Sequence, residues 1–133
     1  MLRLLFCLFL SLGALSGSAG AVDLSSPGDP VLLTVSGNIG ATNGDGVARF
    51  DREMLASLGA VTITTATIWT DGVQTFGGLP LSVLLEALDV RDGTLHAIAI
   101  NDYAIAIPVA DAVENGPILA WERNGAAMSI RDK

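Results

Sequence analysis

Hydrophobic positions along this chain fall into short runs separated by breaks rich in glycine, asparagine and aspartate. The longest run, Leu4 to Leu15, follows Met1-Leu2-Arg3 and precedes Ser16-Gly17-Ser18-Ala19-Gly20-Ala21. A positive start, an apolar stretch of that length and a small-residue A-x-A ending form the pattern of a cleaved export signal. The run falls short of the roughly 20 residues that span a bilayer, and no later stretch is longer. Cys7 sits inside the apolar run rather than after it, which speaks against a lipoprotein signal. The expectation is a signal at residues 1–21, an exposed leader at 22–30 holding Pro27 and Pro30, and one domain at 31–133.

Within that domain the pattern alternates between strand and helix periods. Val31 to Ser36 is rich in strand-forming residues and stops at Gly37. Asn38 to Gly46 carries turn chemistry and reads as a loop. Asp51 is placed to cap a short helix through Leu58, with Gly59 to end it. Val61 to Trp69 is a β-branched run that puts Val61, Ile63, Thr65, Thr67 and Trp69 on one face. Thr70 to Gly78 reads as a second loop. Pro80 suits the first turn of a helix through Leu88, whose Leu81, Leu84, Leu85 and Leu88 make an apolar stripe. Leu95 to Ile100 and Ala104 to Ile107 predict a hairpin about Asn101-Asp102-Tyr103, and Val109 to Glu114 predicts a turn or two of helix. Ile118 to Glu122 and Ala126 to Ile130 flank Asn124-Gly125, the strongest short hairpin signal in the chain. The fold class expected is α+β, a mixed β-sheet domain with short helices.

Composition narrows the functions. The chain has 133 residues, with 7 basic against 14 acidic groups, a net charge of −7, and loss of Arg3 with the signal makes it −8. An acidic chain lacks the basic face that releases counterions from nucleic acid, so no nucleic-acid partner is expected. It equally lacks the polybasic patch that holds a protein to anionic lipid. With the signal removed, no stable membrane span is expected, and the location is exported, periplasmic or secreted. Cys7 is the only cysteine, so the exported domain has no disulfide and no thiolate for a metal.

From Val31 onward the chain resembles the molybdopterin-binding domain of the sulfite-oxidase-type oxidoreductases, in a small, single-domain exported version. The likeness rests on Val35-Ser36-Gly37, Trp69-Thr70-Asp71-Gly72, Phe76-Gly77-Gly78-Leu79-Pro80-Leu81 with Leu84-Leu85, and Asn101-Asp102-Tyr103. Pro108, Pro117-Ile118-Leu119-Ala120, and Asn124-Gly125 with Met128-Ser129-Ile130-Arg131 complete it. The resemblance implies that family's α+β fold and a site for a pyranopterin dithiolene carrying molybdenum. It also implies that Asp71, Asp102 and Tyr103 lie in loops at the cofactor's edge. In that family the metal takes a cysteine thiolate from the protein. The matching stretch, Thr62 to Thr75, has no cysteine, and the hydroxyls of Thr64, Thr65 and Thr67 are harder ligands that ionise far less readily. The implied domain therefore binds a pterin without cysteine-ligated molybdenum. The family continues past a segment like Arg131-Asp132-Lys133 with a Gly-Pro-rich turn and another strand, so the expectation is a natural chain that runs beyond Lys133.

Other candidates are weaker. Arg131 suits an anion such as a pterin phosphate, because a guanidinium matches phosphate oxygens in a bidentate way. Asn43-Gly44-Asp45-Gly46 is similar to the middle of a calcium loop, but that register puts Ala41 at position one and Arg52 at position twelve, where ligands belong. Calcium is not expected. His96 is the only histidine, and with no second soft ligand it builds no zinc site. Trp69 and Trp121 read as core or rim aromatics. Three functional readings follow: an exported, molybdopterin-dependent-oxidoreductase-like domain, a cofactor-free periplasmic binding or sensory module on the same fold, and, last in order, a small calcium-stabilised structural domain. The partner is a pterin in the first and an exported protein in the second.

Overall fold

The computed structural model describes residues 24–131. The expected signal at 1–21, with Cys7, lies outside the described residues, as do the first two leader residues and the last two of the chain. The architecture turns on a short alternation, Ala48-Arg49-Phe50 (β2, Ala48–Phe50), in which Ala48 and Phe50 are buried and Arg49 points away. Strand β1 (Leu33–Val35) lies antiparallel on it, pairing Leu33 with Phe50 and Val35 with Ala48. Asp51 then caps α1 (Arg52–Ser57), accepting the Met54 N–H, and Gly59 at φ 126 lets the chain leave the helix.

The main sheet has four antiparallel strands in the order β3-β4-β7-β8: β3 (Val61–Ala66), β4 (Val73–Pro80), β7 (Ile118–Arg123) and β8 (Ala126–Ala127). Strands β7 and β8 join through Asn124-Gly125, at φ 51 and 80, the left-handed pair that a tight two-residue hairpin demands. Helix α2 (Leu81–Ala87) follows β4 directly, with Pro80 at its cap position. Strands β5 (Thr94–Ile98) and β6 (Ala104–Pro108) form a separate two-stranded sheet, followed by a 3-10 turn at Val109–Asp111.

This corrects the expected α+β class and the sulfite-oxidase-type fold attached to it. Among the described residues there are eight strands, all in antiparallel sheets, and two α-helices of six and seven residues. The helices stay short because each has little to bury: α1 buries only Leu55, and α2 Leu84 and Leu85. The expected loop at Thr70 to Gly78 is also corrected, since most of it is β4, the strand paired on both edges. Its two glycines serve packing rather than a turn. The β4–β7 register shifts between Gly77 and Gly78, and a Cβ on Gly78 would overlap the Leu119 carbonyl oxygen. Glycine at a bulge where backbones approach closely is the expected economy of side-chain space.

One core joins β1, β2, both helices and the inner strands of the main sheet. Phe50, Leu55, Leu79 and Leu88 are fully buried, with Ala41, Ala48, Leu84 and Trp121 in the same cluster. Leu81, Leu84 and Leu88 of the α2 stripe face it as their spacing predicts, while Leu85 lines a surface cleft. Leu79→Ala removes a fully buried side chain and is expected to lower unfolding free energy by about 2–5 kcal/mol. Gly78→Ala, which adds one methyl group, is expected to destabilise as well, because the obstructing atom is backbone. Urea unfolding of the two variants checks both, and a Gly78→Ala protein as stable as the parent would contradict the close approach of β4 to β7.

Candidate functional site

The residues singled out by sequence sit on separate exposed features. Asp71 lies in the β3–β4 turn, where Gln74 Nε2 donates to its backbone oxygen at 2.7 Å. That turn is closed by threonine hydroxyls. The Trp69 N–H donates to Thr67 Oγ1 at 3.2 Å, the Thr67 N–H to Thr70 Oγ1 at 3.2 Å, and the two hydroxyls lie 3.0 Å apart. Thr67 is thus committed to local turn chemistry, and Thr64 faces the Thr75 hydroxyl at 3.4 Å. Trp69 is not a core aromatic: it is 80% exposed beside Ile68 at 89%, while Trp121 is buried in the core.

Asp102 and Tyr103 share the β5–β6 turn. Asp102 stands at φ 64, its N–H donates to the Ala99 oxygen at 2.9 Å, and the Ala99 N–H donates to the Tyr103 oxygen at 2.8 Å. The Tyr103 N–H donates to Asn101 Oδ1 at 3.2 Å, and its side chain is 61% exposed. Arg131 is exposed beyond β8, with its N–H donating to Ser129 Oγ at 3.3 Å. Among the described residues, no hydrogen bond or ion pair joins Asp71 or Arg131 to the Asp102–Tyr103 turn.

Two clefts open on the surface, and neither is lined by any of these four residues. The larger, about 560 Å³ and half open, lies between α2 and the 3-10 turn. Its Arg91 is held by Asp89, with Nε at 3.0 Å and Nη2 at 2.8 Å from the same carboxylate oxygen. The smaller, about 150 Å³, lies over Gly77, Gly78 and Trp121. A pyranopterin needs several donors converging on an enclosed slot, and the proposed contacts are exposed and line neither cleft. They do not fit that group. The Asn43–Gly46 loop is likewise occupied with structure. Asn43 Nδ2 donates to the Arg49 oxygen at 2.6 Å and Asn43 Oδ1 accepts the Arg49 N–H at 2.8 Å, while Asp45 pairs with the Arg49 guanidinium at 3.7 Å. Among the described residues, no three His, Cys, Asp or Glu side chains gather as a metal cluster.

No family model matches this chain, and no curated protein matches it either.

What composition did not single out is the apolar surface of the β5–β6 hairpin. Leu95 faces Ile107 and Ala97 faces Ile105, and the alternate positions place His96 beside Ala106 and Ile98 beside Ala104. Both faces are therefore largely apolar. Ile98 is 71% and Ile100 81% exposed. The signal was in the sequence, since a strand pair without polar alternation reads as one meant to be covered on both faces.

Among the described residues, the buried charged side chain has a structural task. Asp51 is 3% exposed. Its Oδ1 accepts the Met54 N–H at 2.8 Å, and its Oδ2 accepts the N–H of Gly28 at 2.9 Å and of Asp29 at 3.2 Å. The Met54 bond is the largest influence holding its pKa below the ordinary carboxylate value, against the opposing effect of burial. Because the folded-state pKa is the lower one, this group's stabilisation is present above about pH 4 and is lost as pH falls through the folded value. Asp51→Asn is expected to keep the helix cap, since asparagine also caps, but to meet the leader N–H groups with an amide where two acceptor pairs are needed. Amide exchange at Gly28 and Asp29 should quicken, and the acid-side fall in stability should become shallower. An unchanged acid profile would contradict this assignment.

Proposed function

We propose that the chain is an exported binding module that works through its sheet surface and carries no redox centre of its own. The observation that supports this reading is the β5–β6 hairpin, which pairs with no other strand among the described residues and presents isoleucines on both faces. An isolated two-stranded hairpin is marginal in water, and exposed apolar surface of this kind marks a site of association. The ligand that fits is an extended, uncharged, apolar segment of an exported protein, laid along the hairpin so that its side chains meet Ile98 or Ile105. The acidic remainder of the surface keeps the module soluble and turns away other acidic chains.

The competing proposal is a molybdopterin-type oxidoreductase domain, supported by the ordered segments from Val35 to Arg131. The exposure of Asp71, Asp102, Tyr103 and Arg131 outside both clefts favours the binding module.

A photo-crosslinking residue in place of Ile105 tests the reading in the source cell's exported fraction. It is expected to trap a discrete protein partner, whereas the same residue in place of Ser57, exposed on α1, traps none. Equal, diffuse labelling from both positions would overturn the hairpin as the binding surface.

A further inference from the structure

We propose that Asn115 is a modification site, whose side-chain amide is lost to attack by the Gly116 backbone nitrogen while the rest of the domain stays folded. The site is separate from the β5–β6 hairpin and does not rest on the partner proposed for it. Three asparagines of the chain precede a glycine: Asn43, Asn115 and Asn124. A following glycine leaves the backbone nitrogen unshielded by a Cβ, so each pair can close the same five-membered ring. At Asn115 the Gly116 nitrogen bonds to Cγ, the Cγ–Nδ2 bond breaks, and ammonia leaves with the proton that the nitrogen gives up. Water then opens the cyclic imide at either carbonyl, leaving aspartate or isoaspartate. Water is the co-reactant, and nothing is oxidised or reduced.

The fold decides which pair reacts. Ring closure requires the side chain to swing Cγ onto the next nitrogen, and hydrogen bonds to its amide oppose that. Asn43 has three of them: Nδ2 donates to the Ser25 oxygen at 2.9 Å and the Arg49 oxygen at 2.6 Å, and Oδ1 accepts the Arg49 N–H at 2.8 Å. Asn124 has two: Oδ1 accepts the Thr75 N–H at 3.0 Å, and Nδ2 donates to Gln74 Oε1 at 2.6 Å. Pairing of Arg123 with Ala126 holds its turn from both sides. Asn115 is exposed, and among the described residues its side chain makes no hydrogen bond. It lies between the 3-10 turn and β7, at φ 58, a conformation asparagine tolerates at the third position of a turn. The Gly116 N–H closes that turn on the Val113 oxygen at 3.0 Å. This bond restrains the attacking nitrogen, but its opening is a local event in an exposed loop.

The turn keeps its glycine for a steric reason. A Cβ on residue 116 would stand 2.8 Å from the Val113 oxygen, so a larger residue that shielded the nitrogen would disturb the turn. Isoaspartate routes the main chain through the side-chain carbon and adds a methylene before Gly116. The turn then no longer closes on Val113, and the next residue is Pro117, whose oxygen accepts the Leu81 N–H at 2.9 Å. The modification thus loosens the start of α2 against β7. It also adds a carboxylate to a segment that already holds Asp111 and Glu114.

Ageing the exported protein in mildly alkaline buffer, folded and in urea, tests the proposal. Anion exchange separates the more acidic product, and peptide mass spectrometry with isoaspartyl methylation locates it. In the folded protein Asn115 is expected to convert at least about tenfold faster than Asn43 or Asn124, whose amides must first lose two or three hydrogen bonds. In urea the three pairs should convert at similar rates. Asn115→Gln should abolish the first acidic product and leave the circular dichroism spectrum unchanged, and amide exchange at Leu81 should quicken in the isoaspartyl form. Folded protein in which Asn43 or Asn124 keeps pace with Asn115, or the same ranking in urea as in the folded state, would overturn the assignment.

Discussion

Strand β4 can lie against β7 only because position 78 carries no side chain. The Leu119 carbonyl occupies the space a Cβ would need, and the register shift at Gly77/Gly78 lets pairing resume on the far side. Beyond that point Asn124 ties the strands again, its N–H donating to the Thr75 oxygen at 2.7 Å and its Oδ1 accepting the Thr75 N–H at 3.0 Å. In the other direction, Leu81 N–H donates to the Pro117 oxygen at 2.9 Å, which fixes the start of α2 against β7. The approach of two backbones thus sets where Leu79, Leu84 and Leu88 converge, and with them the core.

That core is concentrated at one end of the secondary structure. It gathers β1, β2, both helices and the inner strands of the main sheet, and it leaves β3 and much of β5 and β6 in solvent. Val61, Ile63, Ile98 and Ile105 are among the apolar side chains left there. Apolar surface left in water carries an unfavourable hydration free energy. The clefts are open, and the candidate polar groups lie outside them.

Local chemistry was legible in the sequence. Asp51 as a cap, Asn124-Gly125 as a hairpin turn and the leucine stripe of α2 each act within a few residues, and each stands where its spacing predicts. The rest depended on distant partners. Thr70 to Gly78 read as loop, and the purpose of Gly78, a close approach to Leu119, appears only once β7 is alongside. β2 is too short for its alternation to register. Strand β3 stops at Ala66 rather than Trp69 because the Thr67 and Thr70 hydroxyls capture the backbone into a turn. The fold class failed for the same reason, as strands missed in sequence shift the balance from mixed to mainly antiparallel β. For the site, Asp71, Asp102, Tyr103 and Arg131 were recognisable as turn and terminal residues, but that none of them lines a cleft shows only in the folded chain.

The central claim is that this surface binds protein segments and that no pterin resides in the domain. Native mass spectrometry of the protein exported by its own source cells tests it most directly. The account predicts a polypeptide mass with no cofactor increment, alone or with a protein partner. A species heavier by one molybdopterin would contradict it and return the oxidoreductase reading to first place.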